Sequence, residues 1–324
     1  MNNTLEINTN HKALQEKMEA AWGISRQIFG ETITFYLPGM FHYNGIVGRY
    51  PAVSITGGAC ALRCDHCKGT LLNTMSDAAN PDKLLSICRE FKKKGFHGVL
   101  ISGGCDKKGH LPWDRFVDTI GKIKQETGLY ITVHCGLVDR KEAAILKQAG
   151  VDQALLDVVG DDQTYNTICH VDFGVSAILN TMEALEQEGI DIVPHVVCGM
   201  YYGMMRSEKK AIEMISSFKV AQLVIVALMP PPAFGEKFFQ SPSPWEVADL
   251  IADARLMMPG VRIGLGCARK RGEAEIELLA IMAGVNRMAI PSDEAIYHAE
   301  KLGLKTLFQR TCCSVSLDIA STKW

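Results

Sequence analysis

Short β-branched runs alternate with longer helical patterns from Pro51 onward, and this alternation constrains the fold more than any other feature. The runs that predict strands are 52–56, 97–102, 129–134, 154–159, 191–198, 222–229, 261–265 and 286–290. The segments that predict helices are 81–94, 114–126, 139–149, 176–188, 207–218, 245–257, 273–283 and 292–302. Eight strand–helix repeats predict a (β/α)8 barrel of the TIM type, an α/β fold. An open, doubly wound sheet explains the alternation but accounts less well for the number of repeats.

The remaining segments divide the chain into three predicted parts. Residues 1–50 form a helical and irregular N-terminal extension, in which 9–30 has the pattern of an amphipathic helix. The aromatic stretch 33–45 is expected to pack against the outside or bottom of the barrel. Residues 51–303 form the barrel itself. Residues 304–324 form a cysteine-bearing tail, which we expect to fold over the top of the barrel.

The composition argues against several classes of protein. Hydrophobic residues make up 47% of the 324 residues, so the chain can bury a sizeable core. A formal net charge of −2, without a long basic run, gives no surface for nucleic acid. No apolar run of about 18 residues predicts a membrane span, and the first residues lack a signal-peptide pattern. Eleven cysteines without such a signal are typical of a reducing cytoplasm and of metal chemistry.

Three cysteines, Cys60, Cys64 and Cys67, follow the first predicted strand at the spacing C-x3-C-x2-C. Thiolates are soft ligands that select iron–sulfur clusters, zinc or Cu(I). Three of them on one loop can each bind one iron of a [4Fe–4S] cluster, and the fourth iron stays open to a small molecule. Zinc is the main alternative, but it needs a fourth ligand, and the loop can hardly present the ring of His66 to the same ion. Three ordinary core cysteines are the other alternative, which their close spacing disfavours.

Residues of types that bind ligands or take part in catalysis cluster after the predicted strands, where (β/α)8 enzymes carry their active sites. They are the three loop cysteines, the stretch 102–106, His134, Asp157, His195, Met229 with the prolines at 230–232, Cys267 and Arg269. The position of these residues at strand ends supports the barrel independently of the number of predicted strands.

The cysteine loop resembles the signature of the radical S-adenosylmethionine (SAM) superfamily. The resemblance implies that SAM binds the open iron through its amino and carboxylate groups. It further implies that the reduced cluster cleaves SAM to methionine and a 5′-deoxyadenosyl radical. His66, in a place where the superfamily usually has an aromatic residue, would lie near the adenine. Gly103 and Gly104 stand where a glycine-rich motif contacts the SAM amino group, although a plain turn also uses glycines. Cys105 replaces the glutamate that is common there.

Two further residues are candidates for binding the cofactor. Asp157 lies in an apolar run, so its carboxylate needs partners, either the ribose hydroxyls of SAM or backbone amides. Arg269 can hold a carboxylate of SAM or of a substrate, or can form an ion pair with an acid such as Glu273. His134 and His195 can orient a substrate, although satisfied core histidines are more common.

Four cysteines outside the loop are candidate ligands of a second, auxiliary [4Fe–4S] cluster. Cys105 and Cys267 follow predicted strands, and Cys312 and Cys313 lie in the tail. If the tail folds across the top of the barrel, these thiols can meet. Inert buried cysteines are the alternative.

Short motifs also resemble one branch of the superfamily. A full barrel resembles the biotin synthase-like branch, and 54–57, 102–106, 265–269 and 311–314 resemble the two-component lipoyl synthase proteins of archaea and anaerobes. This resemblance implies sulfur insertion at C6 or C8 of an octanoyl chain on a protein lysine. A radical is needed because such a carbon has no acidity for a base to use.

The same resemblance implies several partners. They are an octanoylated carrier protein (the glycine cleavage H protein or the lipoyl domain of a dehydrogenase E2 subunit), a paralogous radical SAM protein, and ferredoxin or flavodoxin as electron donor. A radical SAM mutase or maturase acting on a small molecule stays open as an alternative, as does a non-catalytic metal protein.

Overall fold

A curled sheet of eleven strands, in which every pairing is parallel, forms the centre of the molecule. The computed structural model describes residues 12–43, 45–229 and 239–319. The strands are β1 (Thr32–Tyr36), β2 (His42–Tyr43), β3 (Ile46–Val47), β4 (Ala52–Ser54), β5 (Ser76–Asp77), β6 (Gly98–Ser102), β7 (Tyr130–His134), β8 (Gln153–Asp157), β9 (Asp191–Cys198), β10 (Leu223–Ala227), β11 (Ile263–Leu265), β12 (Arg287–Ala289) and β13 (Lys305–Gln309). Only β2 and β3 lie outside the large sheet, as a small antiparallel hairpin.

All eight predicted strands are present, and they are neighbours in chain order as β4, β6, β7, β8, β9, β10, β11 and β12. This order is the one that right-handed crossover connections build in a (β/α)8 fold. β13 and the short β5 are the edges of the hydrogen-bonded ladder. The two sides of the curl approach each other where Arg49, just before β4, donates its backbone N–H to the carbonyl of Arg310 at 2.7 Å. The predicted α/β barrel class is confirmed.

Helices cover the outside of the sheet. They are α1 (Lys12–Phe29), α2 (Pro81–Lys93), α3 (Val117–Thr127), α4 (Arg140–Gln148), α5 (Asp162–Thr164), α6 (Val175–Gln187), α7 (Glu208–Ile215), α8 (Pro244–Met257), α9 (Glu275–Met282) and α10 (Asp293–Lys301). Each of the eight predicted helices is observed, and so is the predicted N-terminal one. Gly128 ends α3 with a φ of 62°, a left-handed conformation that glycine adopts without strain. The prolines at 230–232 lie outside the described residues.

The stretch 33–45 was predicted to pack outside or beneath the barrel, and for its first part this is wrong. Thr32–Tyr36 is a strand of the sheet, inserted between β12 and β13. Its side chains alternate, so that Ile33 and Phe35 join the main core while Tyr36 packs with Ala289 in a separate interior cluster. The division of the chain at residues 50 and 303 stays a proposal, but both flanking segments contribute a strand.

The described part of the tail, 304–319, does not fold over the top of the barrel, because Val315 and Ser316 lie against the opposite rim. Ser316 exchanges hydrogen bonds with the side chain of Gln153, the first residue of β8. Arg287, the first residue of β12, donates to the carbonyls of Val315 and Ser316 at 2.7 and 2.8 Å. First residues mark the N-terminal ends of these parallel strands. The described part of the tail therefore passes through the interior of the sheet instead of covering its C-terminal ends.

Candidate active site

The cysteine loop leaves β4 and is pinned to the loop that follows β6. Thr56 Oγ1 accepts a hydrogen bond from the backbone N–H of Gly104 at 2.7 Å and donates to the carbonyl of Ala59 at 2.9 Å. The N–H of Ala61 donates to the carbonyl of Cys105 at 2.8 Å. These bonds hold the first turn of the loop against β6, so the three cysteines start from a fixed backbone.

Gly104 permits this close approach. A Cβ at residue 104 would lie 2.1 Å from the carbonyl oxygen of Ala59 and 2.5 Å from the Cβ of Cys60. A Cβ at Gly103 would meet only side-chain atoms, at 3.1 Å or more. The close packing of the cysteine loop therefore requires a glycine at residue 104. Contact of Gly103 and Gly104 with SAM stays a prediction.

A cavity of about 280 Å³ opens at the C-terminal ends of β4, β6, β7 and β8. The predicted cofactor site lines it, through Cys60, Cys64, His66, Cys67, Gly103, Gly104 and Asp157. Most of the remaining wall is apolar and consists of Leu62, Leu71, Leu72, Met75, Leu111, Leu137, Leu156, Val159, Phe173, Ile178 and Met200. The structure thus brings all but one of the predicted cofactor-binding residues to one cavity.

Burial and one hydrogen bond between thiols shift the pKa values of this site. Burial raises the pKa of the Cys67 thiol to about 11. The pKa of Cys64 is lowered, because the Cys169 thiol donates a hydrogen bond to its sulfur. Burial lowers the pKa of His66, so its imidazole is neutral near pH 7. A neutral ring and a thiol whose pKa is lowered are suited to binding a soft metal or cluster.

Asp65 fixes the second half of the cysteine loop, a role that the sequence did not reveal. Its carboxylate accepts hydrogen bonds from the hydroxyl of Tyr202 at 3.1 Å and from Nε2 of His170 at 2.9 Å, and it pairs with Lys68. Burial alone would raise the pKa of Asp65, but these three partners lower it. The partners are distant in sequence, so no local pattern could have indicated them.

Cys169 is the second residue that sequence reasoning left unassigned. It ends a π-helical turn, Tyr165–Cys169, and lines the cavity. Its sulfur, the sulfur of Cys64 and one ring nitrogen of His66 all lie within 4.8 Å of one another. This group contains only one of the three loop cysteines, so the prediction that a loop closed on one metal can hardly also present His66 to that ion stays a prediction.

Asp157 and two histidines line the inner face of β7, β8 and β9. The Asp157 side chain is exposed to the cavity, and its carboxylate has no hydrogen-bond partner among the described residues. His134 also faces the cavity, with its ring centroid 5.5 Å from that of His195. His195 is satisfied by Ser314 Oγ at 3.0 Å and the carbonyl of Val193 at 3.1 Å. His195 is therefore a structural histidine, while Asp157 and His134 are free to meet a ligand.

Arg269 cannot bind a carboxylate of SAM or substrate, contrary to one of the two roles predicted for it. Its guanidinium is fully buried and donates to Glu277 and to the carbonyls of Gly266, Ala289 and Ile290. An ion pair was the other predicted role, but the partner is Glu277, on α9, whereas Glu273 pairs with Lys270.

Three of the four cysteines predicted for a second cluster lie together. Cys313 is hydrogen-bonded to both Cys267 and Cys312, and the three pack beside Tyr36 and Ala289. The hydrogen bond from Cys313, with Arg271 and Arg269 nearby, lowers the pKa of Cys267 to about 7. Adjacent thiols of this kind fit a soft metal or an iron–sulfur cluster.

Cys105 does not belong to this group. It lines the cavity beside Cys60 and Cys64. The reason is topological: Cys105 follows β6 and Cys267 follows β11, and four strands of the curled sheet lie between them. The predicted set of four ligands is thus not assembled in the structure.

Comparison with known proteins identifies the family to which this cysteine loop belongs. The family model described as "Radical SAM superfamily" matches residues 54–216, half of the chain, and includes all three loop cysteines. The chain belongs to the radical SAM superfamily. A second model, "Biotin and Thiamin Synthesis associated domain", matches residues 225–318, which contain the group of three thiols.

Curated relatives agree with this assignment. The chain is 23% identical over 244 residues to the biotin synthase of Geotalea daltonii, covering 72% of each protein. It is 23% identical over 286 residues to that of Pelotomaculum thermopropionicum, covering 85% of this chain and 87% of the relative. These matches support the biotin synthase-like branch.

The fold is similar to that of methylornithine synthase (PylB), with a TM-score of 0.63 at 18% identity, over 93% of this chain and 91% of that one. It is also similar to the hydrogenase maturase HydG, with a TM-score of 0.61 at 16% identity, over 93% of this chain and 70% of that one.

Across the described ranges, no helix is both long and apolar enough to cross a membrane.

The family implies SAM and a [4Fe–4S] cluster as cofactors, together with an electron donor. The residues present fit them: three thiols share one loop, a glycine lets that loop pack on β6, and an unpartnered carboxylate faces the same cavity.

Proposed function

We propose that this radical SAM enzyme inserts sulfur into an octanoyl chain carried on a lysine of a carrier protein, as a component of a lipoyl synthase. The observation that carries the proposal is the interior group of Cys267, Cys312 and Cys313. Sulfur insertion needs a sulfide source inside the protein, and three adjacent thiols, of which Cys313 is buried and the other two half-buried, are suitable ligands for an auxiliary [4Fe–4S] cluster.

The apolar wall of the cavity supports an alkyl substrate. Charged side chains are rare in it, and Asp157 is the one carboxylate among the described lining residues. A hydrocarbon chain gains free energy by leaving water for such a wall. An apolar cavity also excludes water, which protects a reactive radical from side reactions.

The residues of this chain take distinct roles in the proposal. Cys60, Cys64 and Cys67 hold the cluster, which supplies the electron for reductive cleavage of SAM when it is bound. His66, Gly103 and Gly104 border the adenine and amino ends of SAM. Asp157 accepts hydrogen bonds from the ribose hydroxyls, which its free carboxylate suits. Arg269 keeps the loop after β11 in place through Glu277 and three carbonyls.

The partners proposed for this reaction follow from the substrate. The carrier is the glycine cleavage H protein or an E2 lipoyl domain, which presents the octanoyl-lysine arm. A paralogous radical SAM protein is the expected second component, and ferredoxin or flavodoxin is the expected electron donor. The eleven cysteines are best maintained in a reducing cytoplasm.

One observation favours a second candidate, a radical SAM mutase or maturase acting on a small molecule. The thiols of Cys267, Cys312 and Cys313 are not among the residues that line the cavity. His195 and Ser314 connect the two regions, since the Ser314 hydroxyl donates to Nε2 of His195 at 3.0 Å and accepts from the Cys312 thiol at 3.6 Å. An enzyme with a single cluster does not need the thiols of Cys267, Cys312 and Cys313 in the cavity wall, so their absence from it favours the second candidate.

The double variant Cys312→Ala/Cys313→Ala tests the proposal. Anaerobically purified wild-type protein should contain about eight irons, and the variant about four, because one of two clusters is lost. The variant should still produce 5′-deoxyadenosine but should no longer thiolate an octanoylated carrier protein. If the wild type contains about four irons and the variant retains them all, the tail cysteines are not ligands and the small-molecule candidate is favoured.

A further inference from the structure

The thiol of Cys169 donates a hydrogen bond to Cys64 but is not among the three ligands assigned to the cluster. It is buried at the end of the turn Tyr165–Cys169, against the cysteine loop. Its sulfur lies within 4.8 Å of both the Cys64 sulfur and a ring nitrogen of His66. Nδ1 of His66 is itself buried, and no described residue forms a hydrogen bond with it. A buried nitrogen without a partner is costly unless something binds it.

The spacing of these three groups is that of ligands to one ion. In tetrahedral zinc sites the metal lies about 2.3 Å from sulfur and about 2.0 Å from nitrogen, which places two sulfur ligands about 3.8 Å apart. Thiolates that each bind a different iron of a cluster lie farther apart, because the irons themselves are separated. The group of Cys64, His66 and Cys169 therefore matches a mononuclear site.

The backbone also holds this group together. The N–H of Asp65 donates to the carbonyl of Ile168 at 2.7 Å, immediately before Cys169. The carboxylate of Asp65 binds His170, immediately after it, at 2.9 Å. The loop and the turn are thus tied on both sides of Cys169, so the meeting of the three ligands does not depend on one side-chain rotamer.

We propose that Cys64, His66 and Cys169 bind a single borderline-soft divalent cation of the Zn²⁺ class when the loop carries no cluster. Three protein ligands of the types that zinc prefers leave a fourth position for water. Binding releases up to two protons, one from each thiol that is protonated in the free protein. Because Cys64 is common to both sites, the ion and the [4Fe–4S] cluster exclude each other.

The test is a Zn²⁺ titration of the full-length chain prepared without its cluster, in competition with a chromophoric chelator. The wild type should bind one Zn²⁺ in this region. Cys169→Ser and His66→Ala should each weaken binding about tenfold or more, because each removes a metal ligand. Cys60→Ala and Cys67→Ala should leave the affinity within about threefold. Cys88→Ala, which removes a buried thiol on α2, is the matched control.

The opposite effect of these substitutions on zinc binding would overturn the proposal. If Cys60→Ala and Cys67→Ala abolish zinc binding while Cys169→Ser does not, the ion binds the three loop cysteines. Absence of zinc binding by the folded wild type would also contradict it. If Cys169→Ser misfolds by circular dichroism, His66→Ala carries the same test.

Iron reconstitution provides a second measurement. Since the cluster uses Cys60, Cys64 and Cys67, reconstitution of the zinc-loaded wild type should release one Zn²⁺ as iron enters the loop. Retention of zinc beside a fully assembled cluster would contradict a shared Cys64.

Discussion

Replacing Gly104 with alanine should disable the cluster site, although the change adds only one methyl group. The new Cβ would lie 2.1 Å from the carbonyl oxygen of Ala59 and 2.5 Å from the Cβ of Cys60. The first contact is more than about 1 Å shorter than van der Waals separation. Both obstacles belong to the cysteine loop near its backbone, so the loop must move by about that distance. Misplacement of reacting groups by about 1 Å can lower a rate about 100-fold.

The assay is anaerobic reconstitution of Gly104→Ala, followed by measurement of loop iron and of 5′-deoxyadenosine production under dithionite. We expect less bound iron and a rate about 100-fold below that of the wild type. Gly103→Ala should retain its iron, because its Cβ meets only side chains at 3.1 Å or more. Gly121→Ala on α3, with no atom within 4 Å of the new Cβ, is the neutral control. Wild-type iron and wild-type rate in Gly104→Ala would refute the steric reasoning.

Two further predictions concern stability. Glu277→Gln should lower the free energy of unfolding by about 3–5 kcal/mol in a urea titration, because the buried guanidinium of Arg269 loses its counter-charge. Glu273→Gln, in an exposed pair with Lys270, should change it by less than about 1 kcal/mol, and equal effects would contradict this account. The second concerns His195, since burial lowers its pKa to about 4. A neutral buried ring stabilises the fold above the unfolded pKa of about 6.5, and this stabilisation is lost as the pH falls towards the folded pKa. The free energy of unfolding of the wild type should therefore fall from pH 6.5 to 4 more steeply than that of His195→Gln. Parallel curves for the two proteins would show that His195 is not buried as a neutral ring.

The barrel could be predicted from the sequence because its signal is periodic. Each predicted strand is a run of β-branched or apolar residues between helix patterns, and each was found in the sheet. The strands Thr32–Tyr36 and Lys305–Gln309 were missed because neither is followed by a helix that completes a repeat. Their place in the sheet depends on pairing with each other, a contact between the two ends of the chain.

The loop cysteines were predictable because their spacing is local, whereas their surroundings are not. Asp65 reaches His170 and Tyr202, and Cys64 reaches Cys169, across more than a hundred residues. For Arg269 the sequence suggested the nearer acid, yet Glu277 is the partner. The path of the tail through the interior likewise depends on Gln153 and Arg287, at the starts of distant strands.

Reductive cleavage of SAM by the loop cluster is the central claim, and one comparison tests it most directly. Wild-type protein and the triple variant Cys60→Ala/Cys64→Ala/Cys67→Ala are reconstituted anaerobically and given SAM and dithionite. The wild type should form 5′-deoxyadenosine and methionine, and the variant should form neither. The other described cysteines that line the cavity are Cys105 and Cys169, and two thiols are fewer than the three that the cluster needs. Continued formation of 5′-deoxyadenosine by a folded triple variant would contradict the assignment of Cys60, Cys64 and Cys67.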